Sequence, residues 1–373
     1  MIKHVLMGCL ALGLAACATS VPPPAVEPAA SAPPVPAQPV PESKPAAPPL
    51  DLTPVPLEVA RANFVRDTAA RYQLDPAYIE SILAQAQVRP AIIAAMSRPA
   101  ERVKPWNEYR AMFVTPSSIQ AGRAFLAAHR AQLQRVQERS GVPAEMIVAI
   151  IGVETRYGAN AGGNRVLDAL YTLAFNYPRS GDPGKLEGEV RRELFFRDEL
   201  AKLFELAARE KLDITALKGS YAGAMGMGQF MPSSYLDYAV DGDGDGRRDL
   251  FNDYDDVFAS IANYFVQKGG WVRGGAVAVQ ASLDTGSEEL NPVDWTPSLS
   301  LGDLSARGYH PLAPIDAGDA AATPITLESS AGKQYWLGFQ NYYAITRYNI
   351  SKMYAMAVFQ LSQAIAGQEP PPA

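Results

Sequence analysis

Nearly half of the chain's 31 prolines fall between residues 18 and 56, interleaved with Ala, Val and Ser. A stretch of that composition cannot build a core and tends toward polyproline II. It confines folding to the part of the chain from Leu57 onward and separates that part from a short apolar run, Val5–Ala16. The run follows Lys3 and His4 and is too short to cross a bilayer as a helix, which needs roughly 20 apolar residues. It reads as the apolar region of a secretory signal covering residues 1–16. Residues 17–56 are then a tether that, at about 3.1 Å per residue, reaches on the order of 100 Å when extended.

The signal run ends in Leu14-Ala15-Ala16-Cys17, which resembles the lipobox of bacterial lipoproteins. The resemblance implies that Cys17 becomes the lipidated first residue of the mature protein. One acyl chain holds a protein to a membrane only marginally, at about 0.8 kcal/mol per buried methylene, so stable anchoring takes several chains. Ala18 is not acidic, and by the same resemblance that suggests the periplasmic face of the outer membrane. With Cys9 removed and Cys17 modified, neither of the two cysteines is left for a disulfide. With only three histidines beside them, a Cys/His zinc site is close to excluded. The net charge of -6 carries no clustered basic footprint of the kind nucleic-acid binding requires.

Hydrophobic residues make up 48% of the chain, enough for a sizeable core. Helical spacing is expected over 57–71, 76–86, 90–96, 118–140, 143–157, 191–209, 255–268 and 351–365. Strand-like material is expected only within about 274–340, at 276–280, 325–327 and 334–337, among turn-forming residues. The class is mainly α (α+β), with a small β part inserted late and a C-terminal tail expected to fray.

Eight residues of the stretch Pro143–Gly158 are plainly apolar, and Glu154 sits near its C-terminal end. Desolvation and the partial negative charge of a helix C-terminus both disfavour a carboxylate there. Both raise its pKa, as a general acid near neutrality requires. From spacing alone, a Glu that simply faces solvent is an equal alternative.

Gly152-Val153-Glu154-Thr155-Arg156-Tyr157-Gly158 resembles the catalytic segment of the membrane-bound lytic murein transglycosylase B family. The long Gly219–Tyr235 segment matches the same family. So do Pro105–Tyr109, Asn176–Arg179, Ala262–Phe265, Thr346–Asn349 and Tyr354, all in order between about Phe64 and Leu361. The resemblance implies a lysozyme-like transglycosylase core with an additional α-helical part, and a catalytic domain over 57–366. It also implies non-hydrolytic cleavage of the β-1,4 bond between N-acetylmuramic acid and N-acetylglucosamine, leaving 1,6-anhydro ends. One carboxyl, Glu154, would serve first as acid and then as base, in place of the usual carboxylate pair. Neither the Gly152–Gly158 nor the Gly219–Tyr235 segment contains a second acid.

By resemblance Ser220, Met227 and Gln229 line the cleft, in a segment where Gly223, Ala224 and Gly226 let backbone approach a ligand. A tight structural turn is the alternative for them. Tyr109, Tyr264, Tyr348, Asn349 and Tyr354 map onto cleft positions, where tyrosines stack on sugar rings and bond their hydroxyls; core packing is the alternative. Arg179 is a candidate partner for a peptide-stem carboxylate. Two other readings stand beside this one: a lysozyme-type hydrolase, and a non-catalytic calcium-dependent peptidoglycan-binding lipoprotein.

Asp241, Asp243, Asp245 and Gly246 fit positions 1, 3, 5 and 6 of an EF-hand loop, with Arg247 offering its backbone carbonyl. Asn252 stands where that loop normally ends in a bidentate Glu. The family resemblance implies a longer loop, 241–256, closed by Asp256, with Asp255 as a competitor. Acids this close repel without a cation, and a flexible many-oxygen loop favours Ca2+ over Mg2+. The expected cofactor is therefore structural calcium, with no organic group. The expected partners are peptidoglycan strands and, through the lipid, a membrane; the chain is expected to be a monomer.

Overall fold

The computed structural model describes residues 50–97, 104–292 and 294–373. The signal run, Cys17 and nearly all of the Pro-rich tether lie outside the described residues. Four short helices open the folded part: α1 (Leu57–Tyr72), α2 (Pro76–Leu83), α3 (Pro90–Ser97) and α4 (Trp106–Arg110). The start of α2 is set locally, because Asp75 accepts from Ala77 N at 2.9 Å and Pro76 takes the first turn, where a missing N–H costs nothing.

The single helix expected over 118–140 is two, α5 (Pro116–Ala128) and α6 (Arg130–Ser140). The break is at His129, whose ring packs 4.6 Å from Phe125 and 4.2 Å from Tyr254. Aromatic packing there overrides good helix propensity.

α7 (Ala144–Thr155) is the axis of the molecule. Met146 through Gly152 are all buried, and an all-round apolar helix must be enclosed. It is packed by α5, α6, α11 (Tyr254–Gln267) and α14 (Lys352–Ile365). Ile147, Ile150 and Ile151 are fully buried, and each contributes about 1.5–3 kcal/mol. Pro143 caps this helix rather than beginning it.

Several elements went unread in the sequence. α8 (Val166–Phe175) pairs with the long α9 (Leu186–Glu210) and buries every residue from Val166 to Ala174. A two-residue antiparallel pair, β1 (Asn164–Arg165) with β2 (Lys218–Gly219), ties the start of α8 to the segment before α10 (Pro232–Tyr238). This corrects the expectation that strands are confined to 274–340.

The main sheet lies in that span. β3 (Ala278–Leu283), β4 (Tyr309–Pro311), β5 (Thr323–Ser329) and β6 (Gly332–Gly338) form an antiparallel sheet in the order β4-β3-β6-β5. The β5–β6 hairpin closes at Ser329↔Gly332. With α12 (Leu301–Ser305), the sheet encloses a second small core around Leu304, Tyr309, Leu337 and Phe339. α13 (Gln340–Thr346) then leads to α14. The class is mainly α with small antiparallel sheets, as expected. The tail expected to fray instead meets β6, where Gln334 Nε2 donates to Pro372 O at 2.6 Å.

Candidate active site

Glu154 sits on the last turn of α7. That helix does not run to Gly158, because Arg156 (φ 51) and Tyr157 (φ 61) are both left-handed. Thr155 Oγ1 lies 3.0 Å from Ile151 O and 3.1 Å from Met227 O, and it accepts from Gly158 N at 3.1 Å. One buried hydroxyl thus joins the end of α7 to the Gly219–Tyr235 segment.

Glu154 keeps part of its surface open, but protein crowds its carboxyl group. Tyr354 Oη donates to Glu154 Oε1 at 2.5 Å. Desolvation pushes the carboxyl's pKa up to about 7, with the Tyr354 hydrogen bond pulling the other way. No other carboxylate contributes to that shift. A second acid at the roughly 5 Å separation of a retaining glycosidase pair would raise it further by charge repulsion.

An aromatic wall surrounds this carboxyl. Tyr354 is buried, and its hydroxyl is pushed well above its ordinary range by burial first and the Glu154 charge second. Burial also raises Tyr109, with Glu154 contributing. The Tyr348 ring stands 4.5 Å from that of Tyr264. Burial holds the Tyr348 hydroxyl well up as well, helped by Tyr264 and Glu154. Among the described residues that buried hydroxyl has no hydrogen-bond partner. Tyr264 donates to Arg347 O at 2.7 Å and is pushed up to about 12 by burial. Four of the five tyrosine and asparagine positions expected in the cleft therefore gather around or behind Glu154. Tyr238, 5.0 Å from Tyr264, and Thr155 belong to the same assembly, and no spacing in the sequence marks them.

The fifth position, Asn349, is exposed, and its Oδ1 accepts from Ser351 N at 3.0 Å. It helps turn the chain into α14. Ser220 Oγ accepts from Ala222 N (3.3 Å) and Ala224 N (3.1 Å). Gln229, itself left-handed (φ 51), donates its amide to Ala161 O (3.1 Å) and Gly226 O (3.0 Å). Both side chains are held by backbone of the turn and its neighbour Ala161, and Met227 O meets Thr155 Oγ1. Arg179 is engaged elsewhere: it pairs with Glu193, reaches Glu189 O at 3.3 Å and lies over the Tyr177 ring.

Asp241, Asp243 and Asp256 bring carboxylate oxygens within 4.8 Å of one another. Asp241 accepts from Gly244 N and Gly246 N, which curls the loop, and Gly246 (φ 88) makes the turn. Asp256 is 1% exposed and accepts from Gly242 N and Asp249 N, both at 2.6 Å. Burial still pushes its pKa up, with neighbouring acids adding to the effect. Asp255 faces away and is held by Gln132 (2.6 Å) and Arg135 (2.8 Å). Asp245 is exposed and bonds Arg247 N at 2.8 Å, outside the convergent three. Three hard oxygen donors on a glycine-containing loop fit a divalent cation such as Ca2+.

Residues 58–363 match the family described as the transglycosylase SLT domain. The chain is 41% identical over 313 residues to membrane-bound lytic murein transglycosylase B of Escherichia coli, covering 82% of each. Its fold superposes on soluble lytic transglycosylase SltB1 of Pseudomonas aeruginosa with a TM-score of 0.74 at 42% identity, covering 83% of this chain and 98% of that one. It superposes on the E. coli lytic transglycosylase Slt35 in complex with calcium with a TM-score of 0.71 at 40% identity, covering 82% and 92%.

Proposed function

The chain belongs to the transglycosylase SLT domain family and is a peptidoglycan-cleaving lytic transglycosylase, and from that premise we propose that Glu154 alone performs both proton transfers of the cut. With a pKa of about 7, a large share of Glu154 is neutral at neutral pH and can protonate the bridging glycosidic oxygen as the bond to the muramyl C1 breaks. The carboxylate left behind is then the base. It takes the proton of the muramyl 6-hydroxyl, whose oxygen bonds to C1 and closes the 1,6-anhydro ring. The proton given in the first step is recovered in the second, and no water is consumed. The single observation that carries this reading is a carboxyl raised by desolvation with no second acid contributing. Tyr354 orients the carboxyl through its 2.5 Å hydrogen bond. Tyr109 and Tyr348 are the proposed ring faces for sugars, with Tyr264 packed against Tyr348, and Ser220, Met227 and Gln229 are the proposed further lining.

Mass spectrometry of digested sacculi tests this: anhydro ends are expected, and reducing ends would make the chain a hydrolase of lysozyme type.

Asp241, Asp243 and Asp256 are the proposed cation ligands, with Asp245 and the Arg247 carbonyl completing the loop by the EF-hand pattern. The bound ion would neutralise the clustered acids and hold the loop on α11; it supplies no step of the reaction. The calcium complex of Slt35 supports Ca2+ as that ion. We also propose lipid anchoring at Cys17, with residues 17–56 as the tether and the enzyme on the periplasmic face of the outer membrane. No described helix is long and apolar enough to cross a membrane, and the E. coli relative is named membrane-bound. Cys17→Ser is expected to move the protein from the membrane to the soluble fraction while the purified domain stays active; retention on the membrane would refute the anchor.

A further inference from the structure

Thr155, the residue after Glu154, is fully buried. Its hydroxyl has one proton to donate and two carbonyls in reach, Ile151 O at 3.0 Å and Met227 O at 3.1 Å. A threonine inside a helix commonly bonds back to the carbonyl four residues earlier, here Ile151 O. That carbonyl already receives Tyr157 N at 3.2 Å. Among the described residues Met227 O has no other donor. Leaving a carbonyl unpaired costs more than withdrawing a second donor from one already met. The hydroxyl therefore donates to Met227 O while it accepts from Gly158 N at 3.1 Å.

Met227 is itself pinned from behind, since its N–H donates to Leu250 O at 3.0 Å. Gly226, left-handed at φ 71, permits this approach: a Cβ there would come 2.6 Å from Leu250 O. Leu250 N donates to Tyr235 Oη at 3.2 Å, and the N–H of Asp249 donates to Asp256 Oδ2 at 2.6 Å. A line of hydrogen bonds thus runs from Asp256 on α11, through Asp249–Leu250 and Met227, to the neighbour of Glu154. Every residue along it is buried or half-buried.

Tyr354 holds the Glu154 carboxyl by its tip. That bond does not fix where the last turn of α7 stands relative to the Gly226–Gln229 turn; the Thr155 hydroxyl does. The same carboxyl must reach first the glycosidic oxygen and then the 6-hydroxyl of a sugar, and a misplacement of about 1 Å costs on the order of 10²-fold in rate.

We propose that Thr155 is a positioning residue for the cut: its hydroxyl sets the distance between the Glu154-bearing end of α7 and the Gly226–Gln229 turn, and the Met227–Leu250 bond ties that distance to the Asp241–Asp256 loop. The proposal rests on Glu154 being the acid and base of the reaction. The test measures kcat and KM for release of anhydro ends from soluble glycan strands, below the melting temperature of each variant. Thr155→Val keeps the branched shape and removes the hydroxyl. Its kcat is expected to fall about tenfold with KM within about twofold of the natural value, because the lost contact aims the acid and touches no sugar. Thr155→Ser keeps the hydroxyl and is expected to recover most of kcat. Gly226→Ala reaches the line at Leu250 and leaves Thr155 in place; the same fall in kcat is expected there, and this variant decides the matter if Thr155→Val does not fold. A natural kcat in Thr155→Val, whatever its Tm, would overturn the proposal, as would one in Gly226→Ala. So would a Thr155→Ser chain as slow as Thr155→Val, or a raised KM with kcat kept, which would make Thr155 a matter of sugar binding. Cleavage retained in Glu154→Gln would instead overturn the reading on which the proposal rests.

Discussion

Glu154 and Asp256 are both carboxyl groups in crowded surroundings, and desolvation is the leading cause that raises each. What differs is the supply of partners. Asp256 receives two backbone N–H groups at 2.6 Å and faces two more acids. Glu154 receives one tyrosine hydroxyl and faces rings. The first arrangement sets a hydrogen-bonded carboxylate beside two more acids and invites a cation. The second leaves a carboxyl that gains and loses a proton near neutrality. Burial alone separates neither from an inert core acid; the donor count and the sign of the neighbours do.

That contrast can be broken at either end. The largest effect is expected at Glu154→Gln, which keeps the shape and removes the proton. Each positioned proton transfer contributes about 10²–10⁴-fold, so release of soluble fragments from sacculi should become nearly undetectable while the circular dichroism spectrum is unchanged. Retained cleavage would move the chemistry elsewhere. Next comes removal of the ion. A ligand bound only by the folded form stabilises it by about 2.7 kcal/mol at a hundredfold excess over Kd. A chelator should therefore lower the Tm by several degrees. In Asp256→Asn the chelator's further effect should nearly vanish; an equal drop in both proteins would place the ion elsewhere.

Smaller is Tyr354→Phe. Loss of a hydrogen bond to a charged group costs about 1.5–3 kcal/mol, and here the bond favours the ionised Glu154. Its removal should move the Glu154 limb of the pH–rate profile upward by about a unit, and a downward move would show that the hydroxyl favours the neutral acid. The same group also links pH to stability. The Glu154 pKa is raised in the fold from 4.5 to about 7, so the stability this group contributes is fully present below 4.5 and is lost as pH rises through 7. Glu154→Gln should therefore gain Tm over the natural chain between pH 5 and pH 8. A constant difference across that range would contradict the shift.

Much of this contrast was legible in the residues. The Asp241–Asp245 spacing marks the loop, and a lone acid at the end of an oily run marks Glu154. The start of α2 at Pro76 was plain as well. What escaped reading depends on tertiary contacts. α8 buries even its polar residues Asp168 and Thr172, so no exposed face marks it as a surface helix. The break at His129 comes from rings on α11. Asp256 prevails over Asp255 because Gln132 and Arg135, more than a hundred residues earlier, capture the latter. The Tyr354–Glu154 bond joins residues 200 apart in sequence, and only the family resemblance drew them together. The left-handed pair Arg156–Tyr157 has no signature of its own, since the glycines that leave room for the Tyr157 ring, Gly152 and Gly122, lie on α7 and α5.

The most direct test of the claim that desolvation makes Glu154 an acid near neutrality is its own titration. Carbon-13 carboxyl signals of Glu-labelled protein, taken as the difference between the natural chain and Glu154→Gln, isolate that group. A midpoint near 7 is expected, moving upward in Tyr354→Phe; a midpoint near the ordinary 4.5 would contradict the claim.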